Sequence, residues 1–115
     1  MAKSRKQYEL EVARAFLAGK SAKSWRGQGF CPSEWTTNLL VAEAGEADAP
    51  PCLAWLAADA PRRLAWAESE RDRNLALIES LKGKGTPRST FAHLREEVAF
   101  FEAEIETARR YLPAA

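Results

Sequence analysis

The sequence predicts an all-α protein, a small helical bundle of four to five helices built on a long antiparallel hairpin of residues 60–82 and 90–112. Apolar residues in both hairpin segments recur every three or four positions, which is the spacing of one helix face. All six glycines lie between the predicted helices. No segment shows the alternation of β-branched residues that is typical of a strand.

The 115 residues are enough for a single helical domain with a core of its own, residues 1–115. We divide it into short N-terminal helices, residues 1–58, and the helical hairpin, residues 59–115. The first helix is predicted over about residues 4–18, where apolar residues form one broad face. Gly19 ends this helix, because glycine readily adopts the left-handed conformation that follows a last helical turn.

The second helix is predicted over about residues 33–44. Ser33 can act as its N-cap, because a serine hydroxyl accepts a hydrogen bond from a free backbone N–H of the first turn. Gly45 is the expected C-cap. The inner face is expected to be formed by Trp35, Leu39 and Ala42.

A doubled stretch follows the second helix. Asp48-Ala49-Pro50 returns eleven residues later as Asp59-Ala60-Pro61, and Leu-Ala-Trp follows each copy. Aspartate and proline both favour the start of a helix. We therefore expect a short helix over 50–58, and a break or sharp kink near Ala58–Ala60, because Pro61 cannot donate a helical hydrogen bond.

The first hairpin helix, residues 60–82, presents one apolar face with two further apolar residues at its edge. The face consists of Leu64, Ala67, Leu75, Ile78 and Leu81, and the edge residues are Trp66 and Leu77. Asn74 falls near the middle of this face. A buried asparagine in such a position fixes helix register or oligomeric state, whereas an asparagine at the edge of the face is simply solvated.

The last helix, residues 90–112, shows the clearest periodicity of the chain. Its seam consists of Phe91, Leu94, Val98, Phe101, Ile105, Ala108 and Leu112. Ser89 or Thr90 can cap its start, and Pro113 ends it. The turn "GKGTPRS" between the two long helices is short, so the helices are expected to lie antiparallel.

Composition limits the cellular context. The net charge is +1, so overall charge selects no class of partner. No apolar run is long enough to cross a membrane, and the first residues lack the apolar core of a signal peptide. We therefore expect a cytoplasmic protein with no membrane partner, in which Cys31 and Cys52 are free thiols.

The sequence offers little for catalysis, so we expect a protein that is not an enzyme. His93 is the only histidine, which excludes a metal site built from several histidines. The two cysteines show no metal-ligand spacing. Gly19-Lys20-Ser21 looks like the end of a phosphate loop, but the first glycine of that motif would fall on Arg14. No metal and no cofactor is expected.

Two groups of residues are candidates for binding a partner. Aromatic side chains together with arginine are typical anchors of protein interfaces, and the segment between the first two helices carries Trp25, Arg26, Phe30 and Trp35. The alternative is that these aromatic residues close the end of the bundle. On the last helix a second group lies about 80–120° from the seam, with Glu97 and Glu104 beside it. It consists of His93, Phe100 and Tyr111.

The last-helix group has two interpretations. It can receive the N-terminal helices, or it can remain exposed and bind a partner.

The segment "VARAFLAGKSAKSWRGQGFCPSEWTTNLL" loosely resembles the helix-turn-helix of DNA-binding recombinases and regulators. The resemblance covers about a quarter of the chain and implies a recognition helix over residues 33–41. It would place three polar side chains of that helix near base edges, and three basic ones near the phosphates. These are Thr36, Thr37 and Asn38, and Lys20, Lys23 and Arg26. Residues 27–61 contain no lysine or arginine.

We expect a non-enzymatic helical protein that binds a macromolecule stoichiometrically, with another protein favoured over nucleic acid. Small helical proteins without motifs are common among mobile-element accessory factors and inhibitors of host defence, which is an analogy of size and style. The alternative is a dimeric helix-turn-helix transcriptional regulator. In either case the helical hairpin can serve as a homodimer interface.

The DNA-binding alternative makes a testable prediction. A chain that binds DNA through Lys20, Lys23 and Arg26 should retard random duplex in a gel at about 50 mM salt, and binding should weaken steeply as salt rises. Replacing the three basic residues together with alanine should abolish the shift. Wild-type protein that leaves the duplex unshifted at low salt would exclude this alternative.

Overall fold

The structure, a computed structural model, describes residues 4–18, 33–45, 47 and 49–113, and all regular elements in these residues are α-helices. They are α1 (Arg5–Leu17), α2 (Glu34–Ala44), α3 (Ala49–Leu81) and α4 (Arg88–Tyr111). The all-α prediction is therefore confirmed. None of the described helices combines the length and the apolar character needed to cross a bilayer. The chain forms two compact units, Met1–Ala58 and Asp59–Ala115. Their boundary lies where we divide the sequence into the N-terminal helices and the helical hairpin.

Side-chain caps explain where α1 and α2 begin. The Ser4 hydroxyl accepts a hydrogen bond from the backbone N–H of Gln7 at 3.2 Å, and the Gln7 side chain accepts one from the Ser4 N–H at 3.0 Å. This reciprocal pair is a capping box. Ser33 caps α2 as predicted, with its hydroxyl 3.2 Å from the Thr36 backbone nitrogen. Gly45 ends α2 in the left-handed conformation, with φ of 67°, as predicted.

The inner face of α2 differs from the predicted one. Trp35 is buried as expected, but Leu39 and Ala42 are only half-buried, and the remaining buried positions are Thr37, Asn38 and Val41. The two polar side chains are buried because each bonds its own helix. Thr37 donates to the Ser33 carbonyl at 2.8 Å, and Asn38 donates to the Glu34 carbonyl at 2.9 Å. A satisfied hydrogen bond offsets most of the cost of burying such a group.

The core of the N-terminal unit joins its helices. Ala13 of α1, Val41 of α2 and Cys52 of α3 form one buried cluster, and Leu10, Leu40 and Ala42 pack against it. The rings of Trp35 and Trp55 lie beside the same helices, with their centroids 6.4 Å apart. Cys52 is buried and Cys31 lies outside the described residues, so the prediction of two free thiols stays a prediction.

The predicted break near Ala58–Ala60 is wrong, because α3 continues through Pro61 for 33 residues. Asp59 is therefore not an N-cap. Its carboxylate accepts hydrogen bonds from Arg62, one turn ahead, at 2.8 and 3.0 Å. Proline removes one backbone hydrogen bond from a helix. Within the C-terminal unit, continuing the helix keeps Ala60 and Ala67, seven residues apart, on one side, and both are fully buried.

The doubled stretch is the first part of a longer pattern in α3. Residues 48–58 and 59–69 are followed by a third related segment, 70–80, in which Leu-Ala-Leu stands for Leu-Ala-Trp and Glu-Ser is repeated. Eleven residues make almost three helical turns, so equivalent positions fall on the same side. The second, fifth and ninth positions of each segment are buried or half-buried. They are Ala49, Cys52 and Leu56, then Ala60, Arg63 and Ala67, then Arg71, Asn74 and Ile78.

In the C-terminal unit, α4 contacts α3 in reverse order along the chain. Ala67 clusters with Phe101 and Ile105, next to Leu64. Nearer the turn, Ile78 clusters with Leu94 and Val98, and Leu81 and Phe91 pack against them. This is the order of contacts that an antiparallel pair of helices gives. The predicted seam of α4 is confirmed, because its five central residues are buried.

Three details of the hairpin differ from the sequence prediction. Leu75 is not part of the buried face, since 44% of its surface is exposed. Half-buried polar residues occupy the inner side between Ala67 and Ile78, and Asn74 among them donates to the Glu70 carbonyl at 2.8 Å. Neither Ser89 nor Thr90 caps α4. The helix begins after Pro87, with no side-chain hydrogen bond at its N-cap.

Pro61→Ala should stabilise the protein, because alanine restores the missing N–H donor inside a continuous helix. We expect the free energy of unfolding to rise by about 1–3 kcal/mol, measured by urea denaturation. Pro51→Ala is the matched control, because Pro51 lies in the first turn of α3, where the N–H has no helical acceptor. A loss of stability in Pro61→Ala would show that the helix is interrupted at this residue.

Candidate protein-binding surface

The structure describes one residue of the first predicted binding group, Trp35. Trp35 is part of the core, with 3% of its surface exposed, so the interpretation that it closes the bundle is correct for this residue. Trp25, Arg26 and Phe30 lie outside the described residues.

The DNA-contacting residues are similarly divided. Thr37 and Asn38 are buried and bonded to α2 itself, so these two side chains are not available to base edges. Thr36 is half-buried, and its hydroxyl accepts a hydrogen bond from the Ser33 hydroxyl at 3.1 Å. Lys20 and Lys23, like Arg26, lie outside the described residues.

The second predicted group lies on α4 and is accessible. Phe100 exposes 51% of its surface, the largest exposed fraction among the large apolar residues with a described position. His93 is exposed, and its Nε2 lies 3.9 Å from a carboxylate oxygen of Glu97 one turn ahead. Tyr111 is half-buried. Among the candidate residues that the structure describes, His93 and Phe100 are thus accessible.

An aromatic cluster links this group to α3. The Phe100 and Phe101 rings meet edge to face at 5.1 Å, and the Trp66 ring meets Phe101 edge to face at 5.3 Å. Phe101 is buried, whereas Trp66 exposes 41% of its surface. Edge-to-face contacts of this kind stabilise aromatic clusters beyond the area that they bury. The buried ring thus holds two exposed aromatic side chains in fixed positions.

Arg63 holds the α3 side of the cluster. Its guanidinium lies 4.4 Å from the centre of the Trp66 ring, close enough for a cation–π interaction. The same group donates to one carboxylate oxygen of Glu104 at 2.6 and 3.1 Å, and both side chains are about one-fifth exposed. Arg63 thus holds the Trp66 ring in place and links α3 to α4 at this position along the hairpin.

Helical spacing extends the surface along the hairpin. Arg73 and Leu77 follow Trp66 by seven and eleven residues, and so lie on the same side of α3. Leu77 exposes 44% of its surface. Leu75, equally exposed, faces the opposite side. We call the surface formed by Trp66, Leu77 and Phe100 the aromatic flank.

The two edges of the aromatic flank differ in charge. The α3 edge carries Arg63, Arg73 and, between them, Glu70, and the α4 edge carries Glu97 and Glu104. Arg73 lies 3.7 Å from Glu70 and is mostly exposed. The sequence predicts Trp66 and Leu77 at the margin of a buried face, and their eleven-residue spacing places them on one side of α3. The nearness of Trp66 to Phe100 depends on the pairing of α3 with α4 and has no signal in the spacing of either helix.

The described residues offer little else as a site. They contain no group of three or more histidine, cysteine or acidic side chains that could hold a metal ion. An open cleft of about 490 Å³ lies in the N-terminal unit. Arg14, Asn38, Cys52 and Trp55 line it together with small and apolar residues.

Comparison with known proteins adds no identity. The chain matches no protein-family model, and comparison with curated proteins and with solved structures finds no significant similarity.

The Arg63–Glu104 pair should contribute measurably to stability, because both partners are mostly shielded from water. In a double-mutant cycle with Arg63→Ala and Glu104→Ala, we expect a coupling free energy of about 1 kcal/mol. The exposed Glu106–Arg110 pair, 3.0 Å apart, is the control and should give about 0.3–0.5 kcal/mol. Equal couplings in the two cycles would contradict a special role for the pair that holds the aromatic flank.

Proposed function

We propose that the protein acts by stoichiometric binding to a protein partner through the aromatic flank, without catalysis. The observation that carries the proposal is the pair of half-exposed aromatic side chains, Trp66 and Phe100, held by the buried ring of Phe101. Tryptophan and arginine are the residues that most often dominate the energetics of protein interfaces. Arg63, stacked on the Trp66 ring, adds the second of these.

Fixed geometry supports this role. A binding surface gains affinity when its side chains do not have to be ordered on association. Trp66 is held by Phe101 on one side and by Arg63 on the other. Single exposed apolar residues are ordinary on protein surfaces. Here Trp66 and Phe100 lie against the same buried ring, and Leu77, about 16 Å farther along α3, adds a third exposed apolar side chain on the same side. The analogy with mobile-element accessory factors and inhibitors of host defence belongs to this proposal. In that case the chain would act by binding its partner in a fixed ratio.

The experiment is to express the tagged chain in its native host together with an untagged second copy. The proteins captured by the tagged chain, the untagged copy among them, are then identified. We expect a partner bound in fixed stoichiometry, and Phe100→Ser should lower its recovery by about tenfold or more, the effect of removing an interface anchor. Leu75→Ala is the control, since Leu75 has comparable exposure on the opposite side of α3. Equal recovery by wild type and Phe100→Ser would contradict the proposal.

A further inference from the structure

The geometry points to a second copy of this chain as the partner of the aromatic flank. In this dimer, the flank of one copy covers the flank of the other about a two-fold axis parallel to α3 and α4. The inference rests on the proposed function, because it names the partner of the same surface. Three observations carry it: the shape of the flank, the charge of its two edges and the position of the charged residues along the hairpin axis.

The first observation is the shape of the flank. It is one side of a two-helix layer, with Trp66 and Leu77 contributed by α3 and Phe100 by α4. A helical layer is stabilised when a second layer covers its apolar side. The simplest complementary layer is another antiparallel helix pair, which completes a four-helix bundle. In a two-fold dimer each copy contributes the same patch, so the three side chains of each copy are covered by the other copy.

The second observation is charge complementarity. The α4 edge, read along residues 93, 97, 100, 104, 107 and 111, carries two glutamates and no lysine or arginine. The α3 edge, read along residues 63, 66, 70, 73 and 77, carries two arginines and one glutamate, Glu70, so its net charge is positive. A two-fold axis parallel to the helices places α3 of one copy on α4 of the other, so edges of opposite charge meet. An axis perpendicular to the helices would place like edges together, which costs free energy.

The third observation is the position of the charged groups along the hairpin axis, which we call their level. Arg63 meets Glu104, and Ile78 clusters with Leu94, so Arg73 lies at about the level of Glu97. Rotation about an axis parallel to the helices preserves this level. Arg73 of one copy therefore faces Glu97 of the other. Among the residues that the structure describes, Arg73 lies 3.7 Å from Glu70 and Glu97 lies 3.9 Å from His93, both longer than a close ion pair.

The partner is chosen by these charges rather than by apolar area alone. A strongly basic protein would meet Arg73, and a strongly acidic protein would meet Glu97, each a charge of its own sign. A partner with one basic and one acidic edge at the same spacing satisfies both. A second copy of the chain necessarily has this arrangement, because it carries the same two edges.

Light scattering and sedimentation of the purified full-length chain test the dimer. We expect a mass of twice 12.8 kDa that dissociates on dilution. Leu77→Ala and Phe100→Ser should each raise the dissociation constant, by about 30-fold for an interface anchor. Leu75→Ala, with the same exposure as Leu77, should leave it unchanged. Circular dichroism establishes that each variant is folded.

A charge exchange tests the orientation. Arg73→Glu and Glu97→Arg should each weaken the dimer, because each places like charges opposite one another, and the double variant should restore most of the affinity. Arg95→Glu, on the opposite side of α4, is the control. Single variants that weaken the dimer without restoration in the double variant would overturn the proposed axis.

The two proposals can fail separately. A chain that stays monomeric at every concentration overturns the dimer. If Phe100→Ser still abolishes binding of a different protein in that case, the proposed function stands and only the identity of the partner is wrong. If the chain is monomeric and Phe100→Ser captures the same proteins as wild type, both proposals are wrong.

Discussion

The eleven-residue period of α3 is the constraint on which the rest of the structure depends. Because eleven residues are almost three turns, each segment of α3 repeats the same spacing of buried and half-buried positions, the second, fifth and ninth. In the N-terminal unit these positions include Cys52 of the buried cluster. In the C-terminal unit they include Ala67 and Ile78 of the clusters with α4. The period also brings the Leu-Ala-Trp residues back to the same places, where they flank the buried side.

Local patterns in the sequence predicted much of this fold. The three-and-four spacing from Leu94 to Ala108 identified the buried seam of α4, and Ser33 and Gly45 marked both ends of α2, because capping depends on one side chain or one backbone angle. The predictions failed where a local preference competed with packing. Asp59 and Pro61 favour a helix start, but continuing the helix keeps Ala60 in a fully buried position. Thr37 and Asn38 look like surface residues, yet each satisfies its polar group within α2.

The candidate site was only half predictable. Phe100 could be placed on an exposed stripe from the spacing within α4 alone. Its association with Trp66 required knowing how α3 and α4 are paired, which the contact of both rings with Phe101 establishes. Periodicity assigns a residue to the side of its own helix, but not to a neighbour on another helix. The Arg63–Glu104 pair, 41 residues apart in the chain, was beyond sequence reasoning for the same reason.

The repeated segments of α3 also bear on how its length can change. Inserting or deleting one whole segment would change the length of the helix by about 16 Å at 1.5 Å per residue and would leave nearly every remaining side chain facing as before. Inserting a single residue would turn everything beyond it by about 100°, which moves positions such as Ala67 out of the core. The length of α3 can therefore change without turning its buried positions away from the core only by nearly whole numbers of turns, such as the eleven residues of one segment.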